Sequence, residues 1–554
     1  IMEHFWDKRR TSKSTLVIAI LLAIVSSQWS IAQAADRDEA GQWLNQERRR
    51  MEQEEVQRRI KEGQNQSTIE GTTPETESGT NDSVRFKLNG VETTPSTVLT
   101  AEEIKGITKN YIGKDVSSQD LYNIVNDINK LYAKKGYVNC RAFLQPQTMS
   151  KGVVKIELVE SKTGKVEVTG NKNTRSSYIL HRVHLGEGKT ANIKQLDKDL
   201  QRFSATNDVQ LHIALHAGEE IGTTDYVLKA VEPKNTSWGF FTDNLGTESS
   251  GYYRTGLYWQ DRSLTGRRDS LFVNTSYSKG MRSLTTSYNV PIAKDGTRFT
   301  STYSMSRTRT IKGFLESINS TGYSRSLTLA LTHPLKTTRR VKTMAGLEYG
   351  YQNSTTETSI KPWLDNTVNS LKLYVDQIYY GDSYVFYQKH AYQFGDTTDI
   401  YSNRSHFDIY AFNTFYSKRY RSGQNLNVRV DGQANFSNYV PSVDQFYIGG
   451  MYSVRGYAES ALNGYGGISG SVEYEFPTPH YPTVKGYVFL DGGRIWSDKN
   501  STISLGLVGT GVGVKASIGK NINLNVCAGF PLTRTVNNED QNRVRFNFVL
   551  NGNF

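Results

Sequence analysis

The alternation of apolar and polar residues is clearest toward the C-terminal end. Over residues 521–530, Ile522, Leu524, Val526, Ala528 and Phe530 alternate with Asn521, Asn523, Asn525, Cys527 and Gly529. Over residues 543–554, Val544, Phe546, Phe548, Leu550 and Phe554 alternate with Arg543, Arg545, Asn547, Asn551 and Asn553. A period of two predicts strands with one apolar and one wet face. Each run has the ~10 residues that a tilted strand needs to cross a bilayer. A soluble sandwich shares the period, but rarely sets five apolar side chains opposite a row of Asn and Arg. From residue 234 to 554 helical periodicity disappears and Tyr, Ser, Thr, Gly and Asn dominate. At ~20 residues per strand and connection, that stretch fits roughly sixteen strands. No apolar run after Ala34 reaches the roughly 18 residues of a membrane helix. A membrane protein without such helices must close its strands into a barrel.

Upstream the pattern changes twice. Residues 83–161 begin with a strand-like alternation over 84–88. Helical spacing follows over 101–112 and 117–135, the second with Leu121, Ile124, Val125, Ile128, Leu131 and Tyr132 on one face. Ser117 offers an N-cap and Gly136 a C-cap. Strands over 139–144 and 153–159 complete a β-α-α-β-β order. Residues 162–233 repeat that order more faintly: a strand over 166–168, a short element over 178–183, a helix near 193–203, and strands over 209–215 and 225–231. Two copies of one small module are a repeat signal.

Residues 35–64 are rich in Glu and Arg, and Glu54 with Arg58 and Glu55 with Arg59 support a helix. That helix is polar all round and needs a wet environment; a free helix in solvent and a plug in a water-filled barrel both satisfy this. Residues 65–82 read as a flexible linker. Residues 1–34 read as a secretory signal peptide, with Lys8, Arg9, Arg10 and Lys13 before an apolar run over 16–25 and Ala32-Gln33-Ala34 as the cleavage signal.

Composition fits a barrel, with 33 Tyr, 47 Gly and 22 Phe and a mean hydropathy of -0.55. The formal net charge of +12 is spread along the chain and lacks the focused cluster of a nucleic-acid footprint. It suits a wet lumen and loops facing lipopolysaccharide. Cys140 and Cys527 fall in different predicted domains, so no disulfide is expected. The nine His show no metal spacing; His212 and His216 share one face of a predicted strand, which reads as a solvated sheet face. Residues 467–471 lack the final Gly of a nucleophile elbow, and the glycines over 509–513 have no following helix to cradle a dinucleotide. No catalytic residue, metal site or cofactor is expected, and the chain is not read as an enzyme.

Two motifs remain. Residues 444–457 (DQFYIGGMYSVRGY) lie between strand-like runs and form a loop, in which Arg455 offers a rigid five-donor fork. Phe489-Leu-Asp491-Gly-Gly493 lies on a predicted strand. Val488 and Leu490 take its lipid face, so Phe489 and Asp491 point inward. Asp491 needs a partner and Arg455 is a natural candidate, although each could equally be one charge among many.

The chain resembles the two-partner secretion transporters, the barrels that export filamentous haemagglutinins, haemolysins and contact-dependent inhibition toxins. Val454, Arg455, Gly456 and Tyr457 match the family's loop motif that folds back into the lumen. Phe489, Asp491 and Gly493 match its barrel-wall motif. Residues 135–138, 141–147 and 152–160 resemble its first polypeptide-transport-associated (POTRA) domain, and 222–225 the end of the second. Residues 243–246 and 295–298 resemble early barrel strands and turns. In the hairpin over 264–269 the family usually has a further Gly before Asp269; here the residue is Arg268.

The resemblance implies a mainly β fold: signal peptide 1–34, plug helix 35–64, linker 65–82, POTRA domains 83–161 and 162–233, and a transmembrane antiparallel β-barrel of about 16 strands over 234–554. It implies a monomer in the outer membrane of a Gram-negative bacterium, with the POTRA domains in the periplasm. Its partner is a large unfolded exoprotein with an N-terminal secretion domain, recognised at the POTRA domains and passed through the lumen. Outer-membrane lipid, lipopolysaccharide, periplasmic chaperones and the barrel-assembly machinery are further expected partners, with Phe554 as the assembly signal. A diffusion porin would not need the periplasmic modules; a barrel-insertion machine usually carries more of them. The cargo class, whether adhesin, cytolysin or contact-dependent toxin, is open.

Overall fold

Sixteen antiparallel strands, from Thr236–Asp243 to Arg545–Asn553, close into a barrel in the computed structural model. Residues 38–62, 67–70, 85–148, 151–496, 504–537 and 539–554 are described. The expected signal peptide and residues 65–66 and 71–82 of the expected linker lie outside them. First and last strands pair from Gly239↔Asn553 to Asp243↔Val549. Phe554 completes the seam: its N–H donates to the Trp238 carbonyl at 2.8 Å, and its ring stacks on Trp238 with centroids 4.7 Å apart. The period of two holds across the wall. Val526, Phe530 and Phe546 are exposed on the outer face, whereas Cys527 and Asn547 are buried inside.

The first periplasmic module is a three-stranded sheet ordered Gly90–Thr93, Val153–Glu160, Cys140–Phe143. Helices Ala101–Thr108 and Ser118–Lys135 cover it. The second helix buries Leu121, Ile124, Val125, Ile128 and Tyr132 against Leu88, Val154 and Ile156. Ser117 and Asp120 form its capping box, and Gly136 closes it at φ 96°. The first helix stops at Thr108, short of residue 112, because the chain turns there, with Tyr111 N–H donating to the Thr108 carbonyl. Among the described residues of the expected strand over 84–88 only Phe86–Lys87 pairs, with Asp115–Val116; the sheet strand is Gly90–Thr93, parallel to residues 153–156. Cys140 and Cys527 are both free and buried, and burial pushes the Cys140 thiol up to about 12.

The second module has helices Ser176–Leu180 and Ile193–Thr206 and a four-stranded sheet ordered Thr68–Glu70, Gln210–Ala217, Thr223–Val231, Lys162–Thr169. This corrects the reading of residues 67–70 as flexible linker. Ile69 packs on the module's core, and the strand runs parallel to residues 212–214. His212 belongs to this pairing, with Nδ1 2.8 Å from Thr68 Oγ1.

Charged contacts tie the second module to the periplasmic turns of the barrel. Asp208 pairs with Arg262 at 3.2 Å and with Arg268 at 2.5 Å. Arg268 sits at φ 56°. Such a conformation costs a non-glycine residue on the order of 1–3 kcal/mol, which the charge-assisted pair with Asp208 offsets. Arg182 Nη2 reaches the Ala293 carbonyl at 3.0 Å, and Arg339 pairs with Asp197 at 2.9 Å. These turns mark the periplasmic end, so the opposite rim faces outward.

Candidate functional site: the transport lumen

The loop between strands Asn425–Asn435 and Gly466–Thr478 folds back into the barrel. It is stiffened by a small hairpin, Phe446–Ile448 against Leu462–Gly464, and carries Val454, Arg455, Gly456 and Tyr457 at its tip. Strand Tyr481–Trp496 points Phe489, Asp491 and Gly493 inward to meet it, because the β period sends Val488 and Leu490 to the outer face.

Arg455 and Asp491 meet directly. Nε donates to Oδ2 at 2.8 Å and Nη2 to Oδ1 at 2.9 Å, while the Arg455 backbone N–H donates to Oδ2 at 3.0 Å. This is the bidentate geometry that suits guanidinium and carboxylate. Asp491 is 1% exposed and Arg455 5%, so the pair sits where solvent screens little. The Arg455 guanidinium also lies 3.6 Å from the Phe489 ring centroid.

Four wall residues that sequence reasoning did not single out complete the grip. Arg455 Nη1 donates to Glu473 and Nη2 to Ser471 Oγ at 3.0 Å. Lys515 bridges Glu473 and Glu475, each at 2.6 Å. A signal existed: Ser471, Glu473 and Glu475 alternate on one strand face, and Ser471 registers directly opposite Asp491.

The other motif residues shape the contact. Val454 is fully buried, and a Cβ on Gly493 would lie 3.1 Å from its Cγ2. Tyr457 Oη donates to the Val508 carbonyl at 2.6 Å and accepts from Thr533 N–H at 2.9 Å. Gly456, at φ 99°, passes against Gly529 of the wall, where a Cβ would fall 2.5 Å from Gly456 N. Gly529→Ala should therefore push the loop tip off the wall without removing any lock charge. Its expected effect is an export defect close to that of Arg455→Ala, with normal heat-modifiable migration of the barrel on gels; wild-type export would show that the close approach is dispensable.

Helix Glu39–Glu62 lies inside the lumen. Ser306 Oγ donates to the Ala40 carbonyl at 2.9 Å and Asn274 Nδ2 to Glu47 Oε1 at 2.8 Å. Arg59 pairs with Asp376 at 2.8 Å and Lys389 with Glu52 at 3.2 Å. Arg254, held bidentate by Asp243 at 2.7 and 2.8 Å, lies over the Trp43 ring. The helix also touches the loop: Asn45 bonds the Val443 carbonyl, and Arg49 reaches the Gln445 carbonyl at 3.1 Å. Of the two environments open to a helix polar all round, it occupies the wet lumen. A cavity of about 1920 Å³ remains beside it, lined by helix, loop and wall and reaching the periplasmic turns at Arg339, Asp382 and Thr483.

Residues 222–516 match the model of the haemolysin secretion/activation proteins ShlB/FhaC/HecB, which is more than half of the chain. The chain belongs to this family. Residues 86–161 also match the ShlB-type POTRA domain. The heme/hemopexin transporter protein HuxB of Haemophilus influenzae is 25% identical, over 97% of this chain and 98% of that protein. The outer membrane transporter CdiB of Dickeya dadantii is 22% identical, over 81% and 83%. In fold, the chain is similar to the solved CdiB from Escherichia coli, with a TM-score of 0.71 and 19% identity over 94% of this chain and 99% of that one. BamA from Haemophilus ducreyi, lacking POTRA domains 1–3, shares the fold more distantly, with a TM-score of 0.52 and 14% identity. The protein is thus a two-partner secretion transporter of the outer membrane, with POTRA domains in the periplasm, and it carries a large exoprotein to the cell surface. Its family is one of transporters.

Proposed function

We propose that the Arg455–Asp491 contact is a lock that holds the lumen loop against the wall, and that helix Glu39–Glu62 is a plug that leaves before the exoprotein passes. The observation that carries this reading is the double occupation of the lumen. The loop is held by a buried charge cluster together with the packing of Val454, Gly456 and Tyr457 on the wall, and the helix largely by polar contacts that an aqueous channel can exchange for water. Residues 83–161 and 162–233 act as the two POTRA domains that receive the unfolded chain. A sheet edge there can take an extended segment as an added strand. Export needs no catalytic group in this chain, which supports reading it as a non-enzyme. Phe554 serves barrel assembly through its place at the seam, with the assembly machinery and periplasmic chaperones as transient partners, and the working unit is a monomer. In cells lacking this chain, a large exoprotein displayed by wild-type cells should vanish from the surface and return on complementation. Loss of small-solute uptake with exoprotein display intact would favour a diffusion porin instead.

A further inference from the structure

The outer wall carries a feature that export does not use. Near the outward rim, on the lipid-facing side, Tyr277, Arg282, Arg307 and Tyr323 stand directly opposite one another across four adjacent strands. Arg309 lies two residues above Arg307, and Arg325 faces Met305 one row below. All four arginines are exposed. Among the described residues none of them is paired with a carboxylate, whereas nearby Lys312 is paired with Glu248. Like charges directly opposite on one sheet face repel, and an ionisable residue on a membrane-facing wall needs a partner. The two tyrosines hold the central guanidinium groups in place, with Arg282 5.7 Å from the Tyr277 centroid and Arg307 5.4 Å from the Tyr323 centroid.

The surroundings indicate the missing partner. Below the arginines the same face turns apolar, with Leu284 opposite Met305 and Tyr303 opposite Leu327. Elsewhere around the barrel, outward positions near the rim include Asn353, Asp365, Asp396 and Asp408, and the cations Arg404 and Arg494 stand apart from one another. The positive charge is therefore densest at the four arginines, with Glu357 at their margin opposite Thr321. A ligand with phosphates above and acyl chains below matches both halves. Guanidinium forks bind phosphate bidentately.

We infer that Arg282 and Arg307, with Arg309 and Arg325 beside them, form a binding site for the phosphorylated glycolipid headgroup of the outer leaflet, lipid A. The site requires only that the barrel lie in an outer membrane, and lipid retention reads it separately from export. Native mass spectrometry of the purified full-length protein tests it with bis-phosphorylated lipid A, dephosphorylated lipid A and inorganic phosphate as probes. Wild type should retain the bis-phosphorylated form roughly tenfold better than the dephosphorylated one, and Arg282→Gln/Arg307→Gln should erase that preference. Inorganic phosphate at matched concentration should not displace the lipid. Folding is checked by heat-modifiable migration; should the double variant fail it, Arg307→Gln alone should weaken retention and Arg307→Lys restore part of it. Equal retention by a folded variant, equal retention of dephosphorylated lipid A, or displacement by phosphate would each overturn the assignment.

Discussion

Replacing Arg455 with alanine should abolish most exoprotein export while the barrel still assembles. The substitution leaves Asp491, 1% exposed, and Glu473, 9% exposed, without the cation between them. Removing one partner of a buried pair costs ~3–5 kcal/mol, because the other charge stays desolvated. That shifts the locked population of the loop by more than a hundredfold, at ~1.4 kcal/mol per factor of ten. Lys515 still neutralises Glu473, so the uncompensated charge is mainly that of Asp491. Asp491→Ala should be milder, since Arg455 keeps Glu473 and Ser471. Arg455→Lys should also fail substantially, because an ammonium cannot span both carboxylates as the fork does. The barrel tolerates all three, since its ladder closes through other residues. Secreted exoprotein, normalised to folded barrel in the outer membrane, is the measurement; normal secretion in both Arg455→Ala and Asp491→Ala would remove the lock from the mechanism.

The second large effect concerns the helix. A Cβ built on Gly322 lies 3.3 Å from Ala40 Cβ, close to the ~3.5–4.5 Å that a disulfide bridges. Ala40→Cys with Gly322→Cys should therefore tether helix to wall under oxidising conditions, with native Cys140 and Cys527 buried out of reach. Oxidised cells should stop exporting, and a reductant should restore export. Conversely, deleting residues 35–64 should raise single-channel conductance severalfold in planar bilayers. Undiminished export with the disulfide formed, or unchanged conductance after deletion, would show that the helix does not gate the pore.

How much of this was legible depends on whether a local pattern carried it. Wall strands such as Ile522–Pro531 and Arg545–Asn553 were readable because lipid and lumen impose opposite demands on alternate residues. The inward aim of Asp491 followed from the same period. Its pairing with Arg455 was not fixed by spacing, because a loop's return path depends on contacts distant in sequence, here the Phe446–Ile448 hairpin and the Tyr457 hydroxyl on Val508. The position of the charged helix was equally hidden, because its partners Asn274, Ser306, Asp376 and Lys389 come from four separate strands. Strand Thr68–Glu70 escaped notice because three residues in a polar tract carry almost no periodicity; only the edge of the second module's sheet makes them a strand. Arg268 was visible as a departure from the family, but its use appeared only with Asp208 beside it.

The exoprotein is expected to travel through this lumen. A photo-crosslinking residue at position 523, which lines the cavity, should capture exoprotein during export, whereas one at position 526, exposed on the outer face, should not. Adducts at 523 alone are expected. Exoprotein reaching the surface with no adduct at 523, or with equal adducts at both positions, would contradict passage through the barrel.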